Sequence, residues 1–192
     1  MQRLKDKILA EGKYLGKGIL KVDSFMNHQI DARLMKEVGE EFAHRFKHLG
    51  ASRILTAETS GIAPALSAAL ALDLPLVFAR KHKPVTMAAN PYTESAESHT
   101  HGKVVELIVS PEYLTREDRV IIIDDFLASA RTIKALVKLV QTSGAELLAI
   151  GAVIEKAFEG GRDLLAGEGL TIPIESLAAI KSFDNDKINF VD

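Results

Sequence analysis

The sequence contains no cysteine. That excludes a disulfide framework and any chemistry that runs through a thiolate. It also lacks an apolar run approaching the length of a membrane-spanning helix. The stretch from Met1 to Glu11 is charged throughout, unlike a signal peptide, so the cytoplasm is the expected compartment. No excess of one charge exists either. The formal net charge is −2, and the basic residues are spread out instead of gathered into a stripe, so nothing electrostatic points to nucleic acid. Internal repeats and low-complexity tracts are missing. What remains is ordinary: 192 residues, 47% hydrophobic and 26% charged, enough for one soluble domain with a real core.

The organising stretch runs from Val120 to Thr132. Val120 to Ile123 is a continuous β-branched run, the pattern of a strand buried on both faces of a parallel sheet. It stops at two acids, Asp124 and Asp125. A loop of small and hydroxyl residues follows, Ala128, Ser129, Ala130, Arg131 and Thr132. Ile133, Leu136, Val137 and Val140 then recur at helical spacing. A loop opening a helix presents unpaired N–H groups and the positive end of the helix dipole, which suits a phosphate. Two carboxylates beside it can hold sugar hydroxyls or a hydrated Mg²⁺. The parts together fit a phosphorylated sugar. An ordinary turn, with Ser129 or Thr132 as N-cap and the acids solvated, uses the same residues.

Along the rest of the chain, a helix is expected over Leu4–Glu11, then a loop with glycines at 12, 16 and 18, and a short strand near Ile19–Val22. Asp31 is placed to cap a helix running to about His48, with Leu34, Val38, Phe42, Phe46 and Leu49 as its buried stripe and Gly50 as its stop. Arg53–Ala57 and Leu76–Ala79 read as strands around a helix that starts near Ile62 and turns Ala65, Leu66, Ala69 and Leu70 to one face. Residues 84–102 are rich in Ser, Thr, Asn and Pro and read as a long mobile loop. Val104–Ser110 and Leu147–Ile154 are further strands, and Gly144 ends the helix between the last two. The tail reads as strands over Leu170–Ile174 and Ile188–Val191 around a helical or extended piece, Glu175–Ile180.

Alternating strands and helices predict a central parallel sheet with ligands at the carboxyl ends of its strands. Polar clusters sit at those ends: Glu58-Thr59-Ser60-Gly61, Arg80-Lys81-His82-Lys83, Asp124 to Thr132, and Glu155-Lys156. The first turn can point amides and two hydroxyls at an anion. Arg80, Lys81 and Lys83 either neutralise that anion or form a solvated charge run.

The apolar strand, acid pair, small loop and helix resemble the diphosphate-sugar signature of the type I phosphoribosyltransferases. Glu58-Thr59-Ser60-Gly61-Ile62-Ala63-Pro64 resembles their pyrophosphate loop. Leu20 to Asp31, Val77 to Lys83 and Val153 to Phe158 extend the likeness over nearly the whole chain, to the xanthine-using branch of the family. The resemblance implies a single domain over residues 1–192, with a small hood from about 1–30 and 170–192 and a mobile flap at about 84–102. It implies phosphoribosyl pyrophosphate and xanthine as substrates, Mg²⁺ carried mainly by substrate oxygens and water, and a homodimer, with residues near Arg80 to Lys83 reaching towards the neighbouring site. By the same resemblance, Asp124 and Asp125 hold the ribose, and Ala128 to Thr132 hold its 5-phosphate. Thr59, Ser60, Gly61, Arg80, Lys81 and Lys83 serve the pyrophosphate. Leu20, Asn27 and Lys156 contact the purine. The chain departs from the family in one respect: its phosphate loop carries no glycine. Alanine resists positive φ, so either the loop avoids such conformations or phosphate binding is weakened.

Two other functions fit the same residues. One is transfer to hypoxanthine, guanine or adenine. The other is a non-catalytic regulator that senses the purine or phosphoribosyl pyrophosphate, although the chain shows no basic helix for DNA and no room for a DNA-binding domain before Leu20.

Overall fold

The computed structural model of the chain describes residues 1–87, 89–97, 104–184 and 187–191. Its elements run in order α1 (Gln2–Glu11), β1 (Lys13–Tyr14), β2 (Leu20–Lys21), α2 (Ala32–Phe46), β3 (Arg53–Ala57), α3 (Ile62–Leu72), β4 (Leu76–Ala79), β5 (Tyr92–Glu97), β6 (Val104–Val109), β7 (Arg119–Leu127), α4 (Arg131–Ser143), β8 (Glu146–Lys156), α5 (Gly161–Gly167), β9 (Ile174–Asp184) and β10 (Lys187–Phe190). A short π-helical turn, Asp23–Asn27, lies between β2 and α2. No helix among the described residues is long and apolar enough to cross a membrane.

The six-stranded sheet has the order β10-β9-β8-β7-β3-β4, parallel except for the β9–β10 pair. Val120 to Ile123 lie fully buried in its middle. Ile121 and Ile123 join the core beneath α1, α2 and α3, while Val120 and Ile122 join the core beneath α4. A strand walled on both sides has no polar face to alternate with, which is why its sequence is an unbroken β-branched run. Asp31 caps α2 as expected, its carboxylate accepting from the N–H groups of Arg33 and Leu34.

Three expectations need correction. Residues 92–97, read as loop, form β5 and pair antiparallel with β6 as a two-stranded arm outside the main sheet, tied to it by the Arg80–Ile108 bridge. Residues 88 and 98–102 of that expected loop lie outside the described residues. In the tail, Leu170–Pro173 is not a strand. β9 begins at Ile174 and runs straight through the 175–180 piece as part of the main sheet, and α5 was not foreseen. Leu66 and Leu70 do not share the buried face of Ala65 and Ala69: they are 48% and 75% exposed, because α3 packs against α2 through its alanines. The two ends of the chain do meet. The Met1 amino group donates to the Leu177 carbonyl, and Tyr14 stacks on Phe183.

At the amino end of the central strands, Asp118 holds β3 to β7. Its carboxylate accepts from Arg53 Nε at 2.8 Å, Thr115 N at 2.8 Å and the Ser52 hydroxyl at 3.2 Å. Burial pushes this carboxyl up, but Arg53 and Thr115 outweigh burial and hold it below its usual range. A depressed folded-state pKa contributes stability above the unfolded value of about 3.9, and that stability is lost as pH falls below it. Asp118→Ala is expected to lower stability by roughly 1–3 kcal/mol at pH 7, with a smaller loss at pH 3.5, read by urea titration at each pH. Equal losses at both pH values would mean that the carboxylate charge is not what holds the two strands.

Candidate active site

The site follows from the sheet order. β3 leads through α3 to β4 on one side, and β7 leads through α4 to β8 on the other, so the two connections leave the β3–β7 pair in opposite directions. Such a reversal leaves a crevice beyond the carboxyl ends of the two strands. A cavity of about 360 Å³ lies there. Glu58 and Ser60 line it from the β3 end, Lys81 from the β4 end, and Asp124, Asp125 and Phe126 from β7. The 128–132 loop forms a second wall, and Lys156 enters from β8. Ile19 and Leu20 close one side, and Ala96, Val105 and Leu107 of the β5–β6 arm reach in from another.

Both turns face this space with uncommitted backbone donors. Among the described residues, no protein acceptor takes the N–H of Ala128, Ser129, Ala130 or Thr132, nor that of Thr59, Ser60 or Gly61. No side chain caps α4 or α3. The plain-cap use of Ser129, Thr132 or Ser60 is therefore not what the chain adopts, and the hydroxyls are left for a ligand. The peptide between Glu58 and Thr59 is cis. Ala130 has φ 60° and ψ 12°, so the glycine-free loop does take the left-handed conformation. For a residue with a Cβ this costs about 1–2 kcal/mol. The surroundings impose it, and the loop keeps the shape that frees its amides.

The acids lie between the two turns. Asp124 is buried, with its Oδ1 accepting from the Asp125 N–H at 3.1 Å, and Asp125 Oδ1 accepts from the Phe126 N–H at 3.0 Å. Burial, and then the neighbouring Asp125 charge, push the Asp124 carboxyl well above its ordinary range. Gly61 brings the halves of the site together: a Cβ there would lie 2.5 Å from Asp124 Oδ1 and 2.3 Å from the Thr56 hydroxyl. Any larger residue would push the first turn off the acid.

Residues 29–166 match the phosphoribosyl transferase domain. The chain is 46% identical, over its full length and 98% of the relative, to xanthine phosphoribosyltransferase of Streptococcus equi subsp. zooepidemicus. It is 43% identical over the same shares to the enzyme of that name from Streptococcus pyogenes serotype M5. Among solved structures, adenine phosphoribosyltransferase from Thermoanaerobacter pseudethanolicus superposes with TM-score 0.73 at 25% identity, covering 92% of this chain and 99% of that one. The Trypanosoma brucei enzyme, in complex with AMP, pyrophosphate and ribose-5-phosphate, gives 0.75 at 20% identity over 92% of this chain and 79% of that one, which shows a shared fold. The chain belongs to the phosphoribosyltransferase family.

This phosphoribosyltransferase gathers most of the residues its sequence pointed to, but not all. Leu20, Ser60, Lys81, Asp124, Asp125, Lys156 and the 128–132 loop share the cavity wall. Thr59 and Gly61 stand in the same turn as Ser60. Asn27 is exposed at the end of the π-helical turn, away from the cavity lining. Arg80 lines the neighbouring groove beside β4, its guanidinium 5.7 Å from the Phe78 ring and 3.4 Å from Glu58, which itself lines the cavity. Lys83 Nζ donates to the Ala89 carbonyl at 2.9 Å.

Several contributors went unforeseen. Glu58 Oε1 accepts from the Lys81 N–H at 2.6 Å and so fixes the β4 end against the pyrophosphate-type turn. Phe126 carries Lys156 Nζ 5.5 Å from its ring centre. Its place beside the acids was a signal the sequence offered. Ala96 was hidden in what read as a loop, while Val105 and Leu107 lie in a segment read as a strand but not assigned to the site.

A raised folded-state pKa has a definite consequence for Asp124. The folded protein binds its proton more tightly than the unfolded chain, so the carboxyl stabilises the fold at low pH, and that contribution is lost as pH rises through the folded-state pKa. Asp124→Asn is therefore expected to melt higher than the parent at pH 7, with the advantage shrinking towards pH 4, while phosphoribosyl transfer falls by about 10²-fold or more. Thermal melts across that range with steady-state turnover check this. A variant that is less stable at pH 7 and retains most of its activity would refute the assignment.

Proposed function

We propose that the protein transfers the phosphoribosyl group of phosphoribosyl pyrophosphate to xanthine, giving xanthosine 5'-monophosphate and pyrophosphate. The observation that carries this reading is the arrangement of two turns with unclaimed amides on either side of a buried acid pair, in one cleft with Lys156. A sugar with an anionic group at each end fits two anion sites separated by carboxylates. The full-length similarity to enzymes named xanthine phosphoribosyltransferase supplies the base.

A ring nitrogen of xanthine attacks the anomeric carbon as the bond to pyrophosphate breaks, through an oxocarbenium-like transition state, and the proton of the purine's imidazole ring passes to water. The protein forms no bond to the sugar, so its contribution is positioning and charge stabilisation. Asp124 and Asp125 accept from the ribose hydroxyls. Ala128 to Thr132 hold the 5-phosphate, while Lys81 and the Thr59–Gly61 amides stabilise the leaving pyrophosphate. Lys156 is a pure donor and suits an oxo group over the amino group of adenine. Leu20 packs beside the base, and Asn27, Arg80 and Lys83 lie outside this reading. Among the described residues no group of three His, Asp or Glu side chains is assembled to hold a metal by itself. The Asp124–Asp125 pair fits Mg²⁺ that keeps most of its ligands from substrate and water. When bound, Mg²⁺ neutralises charge on the pyrophosphate.

A panel of xanthine, guanine, hypoxanthine and adenine with phosphoribosyl pyrophosphate and Mg²⁺ is expected to give turnover with xanthine at the highest kcat/KM and negligible product with adenine. Adenine as the best acceptor would transfer the assignment to a sister enzyme. Ligand binding with no turnover on any base would make the protein a sensor.

The active form is a dimer joined along the β4 edge. Among the described residues that edge meets another strand through the Arg80–Ile108 bridge to β6, and the groove of about 400 Å³ beside Leu76–Phe78 is lined by Leu76, Val77, Phe78, Pro84, Met87 and Tyr113. Tyr113 is 60% exposed, and Leu66 and Leu70 on α3 add apolar surface that a partner would cover. Light scattering on the purified chain should give twice the monomer mass, and Phe78→Lys should return it to one. A monomer active at all concentrations would remove the dimer from this account.

A further inference from the structure

The phosphate loop holds a left-handed alanine, whose carbonyl accepts from the Lys134 N–H at 2.8 Å while its own N–H has no protein acceptor among the described residues. Packing from outside the loop bears on it as well. β8 runs beside β7, and Glu155 is paired in register with Leu127, the last strand residue before the loop. Glu155 is buried, with both carboxylate oxygens occupied: Arg162 Nε donates to one at 2.9 Å, and Arg162 Nη2 and the Ser176 hydroxyl donate to the other at 2.6 Å each. Arg162 Nη1 donates to the Ile174 carbonyl at 2.7 Å. A two-point guanidinium–carboxylate pair fixes direction as well as distance. It sets the start of α5 against β8 and β9.

The residue so placed is Gly161. A Cβ at Gly161 would lie 2.1 Å from the Ala128 carbonyl oxygen and 2.9 Å from the Ala130 nitrogen. Backbone therefore lies on backbone, with no flexible side chain between to absorb movement. The contact falls on the peptide groups leading into the left-handed Ala130, while the start of α5 is held by the Glu155–Arg162 pair. The glycine absent from the loop has a counterpart in the helix facing it.

We infer that Glu155, Arg162 and Gly161 are positioning residues that brace the Ala128–Thr132 loop in the shape that binds the 5-phosphate. The inference rests on the phosphoribosyl-transfer reading above. None of the three lines the cavity, so each acts through the loop. The brace touches the 5-phosphate turn and not the Thr59–Gly61 turn, so it governs one anion site and spares the other.

The test measures binding of ribose 5-phosphate and of Mg²⁺-pyrophosphate separately, by calorimetry on the full chain, with the parent, Gly161→Ala and Arg162→Ala. The expected result is a loss of at least about tenfold in ribose 5-phosphate affinity with pyrophosphate affinity within about twofold, and a matching rise in KM for phosphoribosyl pyrophosphate with KM for xanthine unchanged. If Gly161→Ala does not fold, Arg162→Ala carries the same comparison, and Arg162→Lys, which keeps charge without the two-point geometry, should rescue only in part. Ribose 5-phosphate binding at parental strength in the variants overturns the brace, as does an equal loss of both ligands. A parent protein that binds neither ligand overturns the phosphoribosyl reading itself.

Discussion

The constraint on which the molecule depends is the side-by-side ending of β3 and β7 with their connections departing in opposite directions. Strands buried on both faces commit all their mid-strand hydrogen bonds to each other. Where they stop, the chain must turn, and the first residues of each turn and helix have donors with no partner inside the protein. Two such ends lie in one crevice, so the donors of both face the same ligand. The apolar run Val120 to Ile123 holds this geometry in place by sending its side chains alternately into the two cores.

The site costs the fold stability in two places. Asp124 is buried beside a second acid, and Ala130 is held left-handed. Neither choice improves the empty protein. Both make sense under the proposed binding of a ribose with phosphates at either end, in which its hydroxyls donate to the acids and its phosphates take the amides. Local conflict with folding preference is expected where binding is the purpose. The remainder of the chain offsets it through the buried strands and through pairs such as Arg53 with Asp118, remote from the crevice.

The sequence was most readable where one physical demand dominated. β3 and β4 were placed to the residue, and the acids and the capping carboxylate of Asp31 were evident, because a doubly buried strand or an N-cap leaves a strong local pattern. It was least readable where the demand was tertiary. β5 alternates half-buried and exposed residues over Tyr92 to Ser95, but they are mostly polar, so the period of two carried no hydrophobic signal. α5 is short and glycine-rich, and Leu165 is its one buried large residue. α3 is apolar nearly all round, so periodicity could not tell that its alanines face α2 while Leu66 and Leu70 face out. For the site, the strand-end residues were legible in the chain. Arg80 and Lys81, neighbours in the charge run, point to different sides as the strand ends, so proximity in sequence alone does not say which of the run faces the cavity.

The same reasoning bears on purine choice. Lys156 is largely buried, its Nζ 3.1 Å from Glu159 Oε1 and 5.5 Å from the centre of the Phe126 ring. An ammonium held between a carboxylate and an aromatic face has little freedom to swing away from a poor partner. In the proposed complex it donates to an exocyclic oxygen of the base. An amino group at that position would present hydrogens to a group that can only donate, so the ammonium would keep Glu159 but have an N–H aimed at the base with no acceptor. Loss of a satisfied partner discriminates far more strongly than a difference in shape. The structures named adenine phosphoribosyltransferase share the fold at 25% identity or less, so the scaffold is common property and the proposed choice of base falls to side chains such as this one.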